Sequence, residues 1–233
     1  MLTQRVLLLF ACVWTLSGCE PRRAEIPPTP APRAAPAPSI PAGAQSMEID
    51  PDRSKVTILV RRAGPLARLG HNHAILSADE SGYVWIGRDP EGSGFEIRLP
   101  VRALVVDAPA ARAAAGPDFP GEVPEDAREG TYRNMLRPEV LDADRYPSIV
   151  VRANRLAGTW EHPVAVASIT LRGTTRELEL PFDLQREPHT LIARGSFRIR
   201  QSDFGITPFS VGGGAIQVAD DVEVAFEIVA TVR

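Results

Sequence analysis

Gly70-His71-Asn72-His73 is the one dense cluster of polar side chains in this chain that adjoins an apolar strand. On extended backbone, residues i and i+2 point the same way, so His71 and His73 can present two imidazoles to one object. Three kinds of chemistry fit that arrangement. The first is polar contact with the head of a bound ligand at a cavity mouth, with Asn72 as a further donor. The second is a hydrogen-bonded structural pair, and the third is metal ligation, for which this spacing suffices. Metal comes last because the remaining histidines, His162 and His189, are isolated in sequence. No metal and no other cofactor is expected.

Nothing else in the chain reads as catalytic. It contains neither a Gly-x-Ser-x-Gly elbow nor a Gly-x-x-x-x-Gly-Lys phosphate loop. Gly212-Gly213-Gly214 reads as a flexible turn before the last strand. Glu177, Glu179, Glu223 and Glu227 alternate with apolar residues and so belong to a solvated face. The expectation is a binding protein and not an enzyme.

The elements that would position the histidines are strands. In residues 176–184, Leu178, Leu180, Phe182 and Leu184 alternate with Glu177, Glu179, Pro181 and Asp183, which puts one oily face on a strand. Residues 164–171 precede it as a β-branched and small run, and Arg172-Gly173-Thr174 supplies the reversal. Such a hairpin needs further strands to close around its apolar face. Candidates lie near residues 56–61, 83–86, 95–101, 149–156 and 191–199. The clearest is the last, with Val222, Val224, Phe226, Ile228, Ala230 and Val232 on one face. About eight segments in sequence predict an up-and-down antiparallel β-barrel. If that barrel is hollow, its wall includes Leu178, Leu180, Phe182, Val224, Phe226 and Ile228.

Residues 107–142 interrupt the strands. The stretch 108–124 is rich in Ala, Pro and Gly and reads as mobile, and a helix is expected from Pro124, with Glu125 and Asp126 at its positive end. Tyr132, Met135 and Leu136 share one face of it. We expect a surface insertion packed on the barrel, with a lid as the alternative.

The 233 residues suffice for one such barrel with extensions. Charged residues make up 24% with a net charge of −3 and both signs scattered, so no basic stripe exists for nucleic acid. Aromatic residues, at 6%, are too few for base-stacking platforms.

Arg5 is followed by an apolar run over residues 6–16, too short for a permanent membrane helix, and then by Leu16-Ser17-Gly18-Cys19. This resembles a bacterial lipobox. The resemblance implies a signal peptide over residues 1–18, removed ahead of a Cys19 that carries diacylglycerol and an N-acyl chain. Glu20 is not the aspartate associated with inner-membrane retention, which favours the outer membrane. Residues 19–46 are Pro- and Ala-rich. At about 3.1 Å per residue, such a stalk reaches roughly 80 Å from the bilayer. With Cys12 removed and Cys19 lipidated, the mature domain has no thiol chemistry.

Residues 47–233 resemble the YceI-like family of periplasmic lipid-binding proteins. The resemblance rests on Glu48-Ile49-Asp50, Ser54-Lys55-Val56, Leu141-Asp142-Ala143-Asp144-Arg145-Tyr146-Pro147-Ser148-Ile149 and Ile169-Thr170-Leu171-Arg172-Gly173-Thr174-Thr175. It continues through Ser202-Asp203-Phe204-Gly205-Ile206 and Ala219-Asp220-Asp221-Val222. It implies an all-β fold, an extended lipocalin-like eight-stranded antiparallel β-barrel with a short helical insertion. It also implies an elongated apolar cavity for a polyisoprenoid, a quinone-like chain or another long-chain lipid ligand, with a histidine nearby. Barrels of eight strands are just wide enough for packed side chains or one slim ligand, so the residues alone leave both a carrier and a filled scaffold for envelope protein partners open.

Two departures bear on the head of that ligand. Arg53 stands where the family usually has histidine. Arg200-Gln201 stands where it usually has Asn-Arg. A one-residue shift sends a strand side chain to the opposite face, which puts any headgroup role of the family's arginine in question here, with Gln201 as a neutral stand-in. The candidate head contacts are His71, Asn72, His73, Arg200 and Gln201.

Overall fold

The computed structural model describes residues 40–232. The expected signal peptide over residues 1–18, the expected lipidation at Cys19 and the Pro/Ala-rich stretch up to residue 39 lie outside them. The folded part starts with β1 (Gln45–Ile49), two residues before the expected boundary at Met47, and continues through β2 (Lys55–Ala63), β3 (His73–Ser77), β4 (Ser81–Ile86), β5 (Gly94–Pro100) and β6 (Val105–Val106). Two helices follow, α1 (Pro109–Ala114) and α2 (Glu125–Met135). The sheet then resumes with β7 (Ser148–Gly158), β8 (Pro163–Leu171), β9 (Thr174–Pro181), β10 (Asp183–Arg186), β11 (Thr190–Arg200), β12 (Ser210–Val211) and β13 (Ile216–Thr231).

The hairpin predicted at the centre of the chain is β8–β9, joined by two residues. Arg172 and Gly173 both have positive φ (50° and 73°). That is the backbone sign pattern of a type I′ turn, whose twist matches the strands it joins. Gly173 is required twice over, because a Cβ there would sit 2.5 Å from Tyr146 Cε1. The strain at Arg172 is offset by its guanidinium, which donates to Pro138 O at 2.7 and 3.1 Å and to Gly205 O at 2.5 Å. These bonds tie the hairpin to the Ser202-Asp203-Phe204-Gly205-Ile206 motif and to Pro138, just ahead of the motif that begins at Leu141. Along β9 and β10, Leu178, Leu180, Phe182 and Leu184 are at least half-buried while Glu177, Glu179, Pro181 and Asp183 are exposed, as the period of two requires.

The sheet differs from a closed eight-stranded barrel. Thirteen strand segments form one sheet among the described residues, in the ladder order β6-β3-β2-β13-β1-β4-β5-β7-β8-β9, with β11 on the other edge of β13. Two chain breaks account for much of the excess. Residues 50–54 turn between β1 and β2, and both then pair with the same edge of β13, β1 at Ala230 and Thr231 and β2 from Gln217 to Glu227. Phe182 separates β9, which pairs with β8, from β10, which pairs with β11. No ladder joins β9 to β11. The wall is continuous there only along the chain, where Phe182 N–H still reaches Pro163 O at 3.3 Å and Asp183 already faces Arg194.

The inward residues form the main core. Val222, Val224, Ile228 and Ala230 of β13 are buried in it with Val56, Leu99, Ile149, Ile169 and Leu191. Between β6 and β7 the helix α2 starts at Glu125, as expected, and lays Met135 into this core with Tyr132 and Leu136 half-buried beside it. The Ala/Pro/Gly-rich segment before it is not the featureless stretch its composition predicts. It holds α1, and Ala111 and Phe119 bury against Leu59 and Ala74 in a separate small core on the outer face of β2 and β3. Leu59 points opposite to Ile58 and Val60, and needed something to cover it.

Candidate functional site

The inward faces of the strands enclose two adjoining chambers. The lower one, about 110 Å³, is lined only by apolar residues, among them Leu180, Phe182, Phe226 and Ile228. The upper one, about 320 Å³, lies toward the other end of β13 and reaches Val218, Ile216 and Val211. Val56, Leu99, Val151, Phe197 and Val224 line both, so the two form one elongated space, with the Phe197 ring 6.3 Å from that of Phe226 at its waist. Of the expected wall residues, Leu180, Phe182, Val224, Phe226 and Ile228 line it. Leu178 instead packs into the core around it.

Polar side chains gather in the upper chamber alone. His71, His73, Thr131, Asn134, Gln201, Gln217, Arg61 and Arg62 line it, with no carboxylate among them. Thr131 and Asn134 come from α2, so the insertion forms part of the wall and is more than a surface addition. Leu66 and Leu69, exposed on the loop between β2 and β3, and Val211 stand near this end, where Leu66 N–H donates to Ala215 O at 2.8 Å.

His73 is held from behind. Its Nδ1 lies 2.6 Å from Oδ2 of Asp107, whose side chain is fully buried. The Asp107 carboxylate also accepts from Ala74 N–H at 2.9 Å and from Arg112 at 2.7 Å. Arg112, 4% exposed, gives three further N–H groups to the carbonyls of Asn72 at 2.7 Å, Pro120 at 2.9 Å and Gly121 at 2.9 Å. Burial alone would raise the Asp107 carboxyl. The bonds from His73, Ala74 and Arg112 outweigh it and hold the group below the usual carboxylate range. An ionised Asp107 that only accepts requires a proton on His73 Nδ1, which leaves Nε2 to face the chamber. The nearest side-chain partner of Nε2 is Thr131 Oγ1, at 3.5 Å, beyond the length of a good hydrogen bond.

The other expected head contacts divide. The His71 ring stands 6.3 Å from that of His73 and lines the same chamber. Asn72 does not line it: its Oδ1 accepts from Arg62 N–H at 2.9 Å and its Nδ2 donates to Asp118 O at 2.8 Å. The alternation that aligns the two histidines sends the residue between them to the opposite side. Gln201 lines the chamber and donates to Ala219 O at 2.8 Å, whereas Arg200 is exposed and bound to Asp203 at 2.9 and 3.1 Å. The described residues contain no group of three or more His, Cys, Asp or Glu side chains placed to hold a metal. Asp107 and Arg112 escaped the sequence reading. Their one signal is a charged residue on either side of a short Ala/Pro run that follows the apolar pair Val105-Val106.

The fold is similar to the crystal structure of Burkholderia cenocepacia BcnA, at a TM-score of 0.56 and 16% identity, covering 78% of this chain and 99% of that one. A mutant of the Campylobacter jejuni YceI protein gives a TM-score of 0.50 at 12% identity, covering 68% of this chain and 84% of that one. At such identities the likeness shows the fold alone. A comparison with curated proteins finds no significant match. The family model of the YceI-like domain matches residues 47–230, and the chain belongs to that family.

Proposed function

We propose that this protein binds and carries a long-chain amphiphile, a polyisoprenoid, quinone-like or fatty-acid-derived lipid, in its elongated cavity at the cell envelope. The observation that carries the reading is the division of that cavity, wholly apolar in the lower chamber and polar only in the upper one. A tail gains about 0.8 kcal/mol for each methylene taken out of water, before the cost of association. The upper chamber falls at the small end of the roughly 300–1,000 Å³ typical of ligand sites. Membership of a family associated with polyisoprenoid-type ligands supports the same class.

Binding without catalysis is part of the proposal. So is a lipid anchor at Cys19, which would hold the folded domain on the periplasmic side of the envelope, in the outer membrane. That part rests on Leu16-Ser17-Gly18-Cys19 and on Glu20. Native mass spectrometry of protein purified without delipidation tests the carrier reading, through a bound lipid that leaves on organic extraction.

A further inference from the structure

We propose that the domain docks on an anionic phospholipid bilayer through a lip at its upper end, where Leu66, Leu69 and Val211 enter the interface and Arg62 and Arg68 meet lipid phosphates. The docking goes beyond the carrier reading and holds whatever the cavity contains.

Two loops build the lip, residues 64–72 between β2 and β3 and residues 205–215, which include β12. They are fastened into one surface. Leu66 N–H donates to Ala215 O at 2.8 Å. Gly64, at a φ of 91°, passes so close that a Cβ there would stand 2.8 Å from the same oxygen, and only glycine allows that approach. Val211 pairs with Ile216, which lies against Gly70 of the first loop.

Apolar exposure gathers on this surface. Of the six large apolar side chains exposed among the described residues, Leu66, Leu69 and Val211 stand here, Leu69 at 61%. Three together at one end mark a contact surface, where single ones would mean nothing. Arg62, His71 and Val211 are exposed and also line the upper chamber, so the cavity reaches solvent beside the lip.

The charge of the lip is one-sided. Residues 61–72 hold Arg61, Arg62 and Arg68 and no carboxylate, and residues 204–219 hold no charged side chain. The bordering carboxylates are engaged: Asp118 and Glu223 with Arg61, Asp203 with Arg200, and Asp220 with Ser202. At the far end of β13 the turns differ, since residues 87–92 carry Asp89 and Glu91 and residues 186–189 carry Glu187. The Arg62 guanidinium bonds only Gly70 O, and Arg68 is exposed with no hydrogen bond or ion pair among the described residues. A protein partner would be read by cations held in place. Arg68 is held by nothing, which suits the diffuse charge of a lipid surface, with apolar tips leaving water and guanidinium groups at phosphate level.

The test puts a tryptophan on the lip, Leu69→Trp, or in the turn at the far end, Glu187→Trp, in the full chain. Vesicles of phosphatidylcholine, alone or with equal parts of phosphatidylglycerol, carry acyl chains brominated near the headgroup. Quenching beyond that of the wild type's own tryptophans is the reading. It should appear at position 69 and not at 187, and only with phosphatidylglycerol. Adding Arg68→Glu replaces an attraction by a repulsion and should lower the ratio of docked to free domain roughly thirtyfold. The three altered side chains are exposed, so unchanged melting temperatures are expected. No excess at position 69, equal excess at both positions, equal excess on both vesicles, or an excess that survives Arg68→Glu overturns the proposal. So does a dimer in solution that Leu69→Asp dissolves, which would give the lip to a second copy. Each of these leaves the carrier reading, decided by native mass spectrometry, intact.

Discussion

Nδ1 of His73 and Oδ2 of Asp107 meet at 2.6 Å across 34 residues of sequence, and this contact fixes which nitrogen of the ring faces the cavity. Asp107→Ala would leave the Arg112 guanidinium buried without its carboxylate, which costs about 3–5 kcal/mol. Asp107 is held below the usual carboxylate range, so its contribution is complete above the pKa of an unfolded aspartate, near 4, and is lost as the pH falls through the folded value. Urea unfolding from pH 3 to pH 7 should show a steeper acid loss in the wild type than in Asp107→Asn.

Glu80 has the opposite sign. It lies in the turn before β4, is 1% exposed, and neither carboxylate oxygen has a hydrogen-bond partner in good geometry among the described residues. Burial raises its pKa above the ordinary value. Below the unfolded pKa both states are protonated and the group costs no charge burial. As the pH rises past that point the unfolded chain ionises first, and stability falls. Glu80→Gln should therefore stabilise the protein at pH 7, with a gain that vanishes near pH 4. A gain that is the same at both values would contradict this origin.

The register of β13 gives a third expectation. Phe226 faces the lower chamber, whereas Glu227 points outward to Arg194 at 2.8 Å, a half-exposed pair. Phe226→Asp or Leu180→Asp places a carboxylate in an apolar interior at several kcal/mol, comparable with a domain's whole stability of about 5–15 kcal/mol. Glu227→Ala should cost about 1 kcal/mol or less. Thermal melts of the three variants check the contrast, and equal losses at Phe226 and Glu227 would place the register wrongly.

What was legible followed from period and from local turn chemistry. The alternation in residues 176–184 and 222–232 set which side chains face the cavity, and Arg172-Gly173 set the hairpin. Strand breaks were less visible, because the split at Phe182 comes from a change of partner, β8 to β11, that no local pattern encodes. Asn72 was misjudged by setting aside the alternation that placed its neighbours. Asp107 and Arg112 were hidden for a different reason. Their worth is created by burial, in a segment whose composition reads as mobile, and, for Asp107, by a partner 34 residues away.

The anchor is tested separately. Cys19→Ser should abolish incorporation of labelled fatty acid and leave an unprocessed or soluble form. A wild-type chain that takes up no label would show that Leu16-Ser17-Gly18-Cys19 is not a lipidation signal.

The carrier reading itself is decided most directly by native mass spectrometry of gently purified protein, before and after addition of geranylgeraniol, with melting temperatures recorded in parallel. The account predicts a lipid adduct near one per chain and a melting temperature that rises with ligand concentration, as linkage requires. Protein that shows no adduct under either condition, and melts at an unchanged temperature, would contradict it.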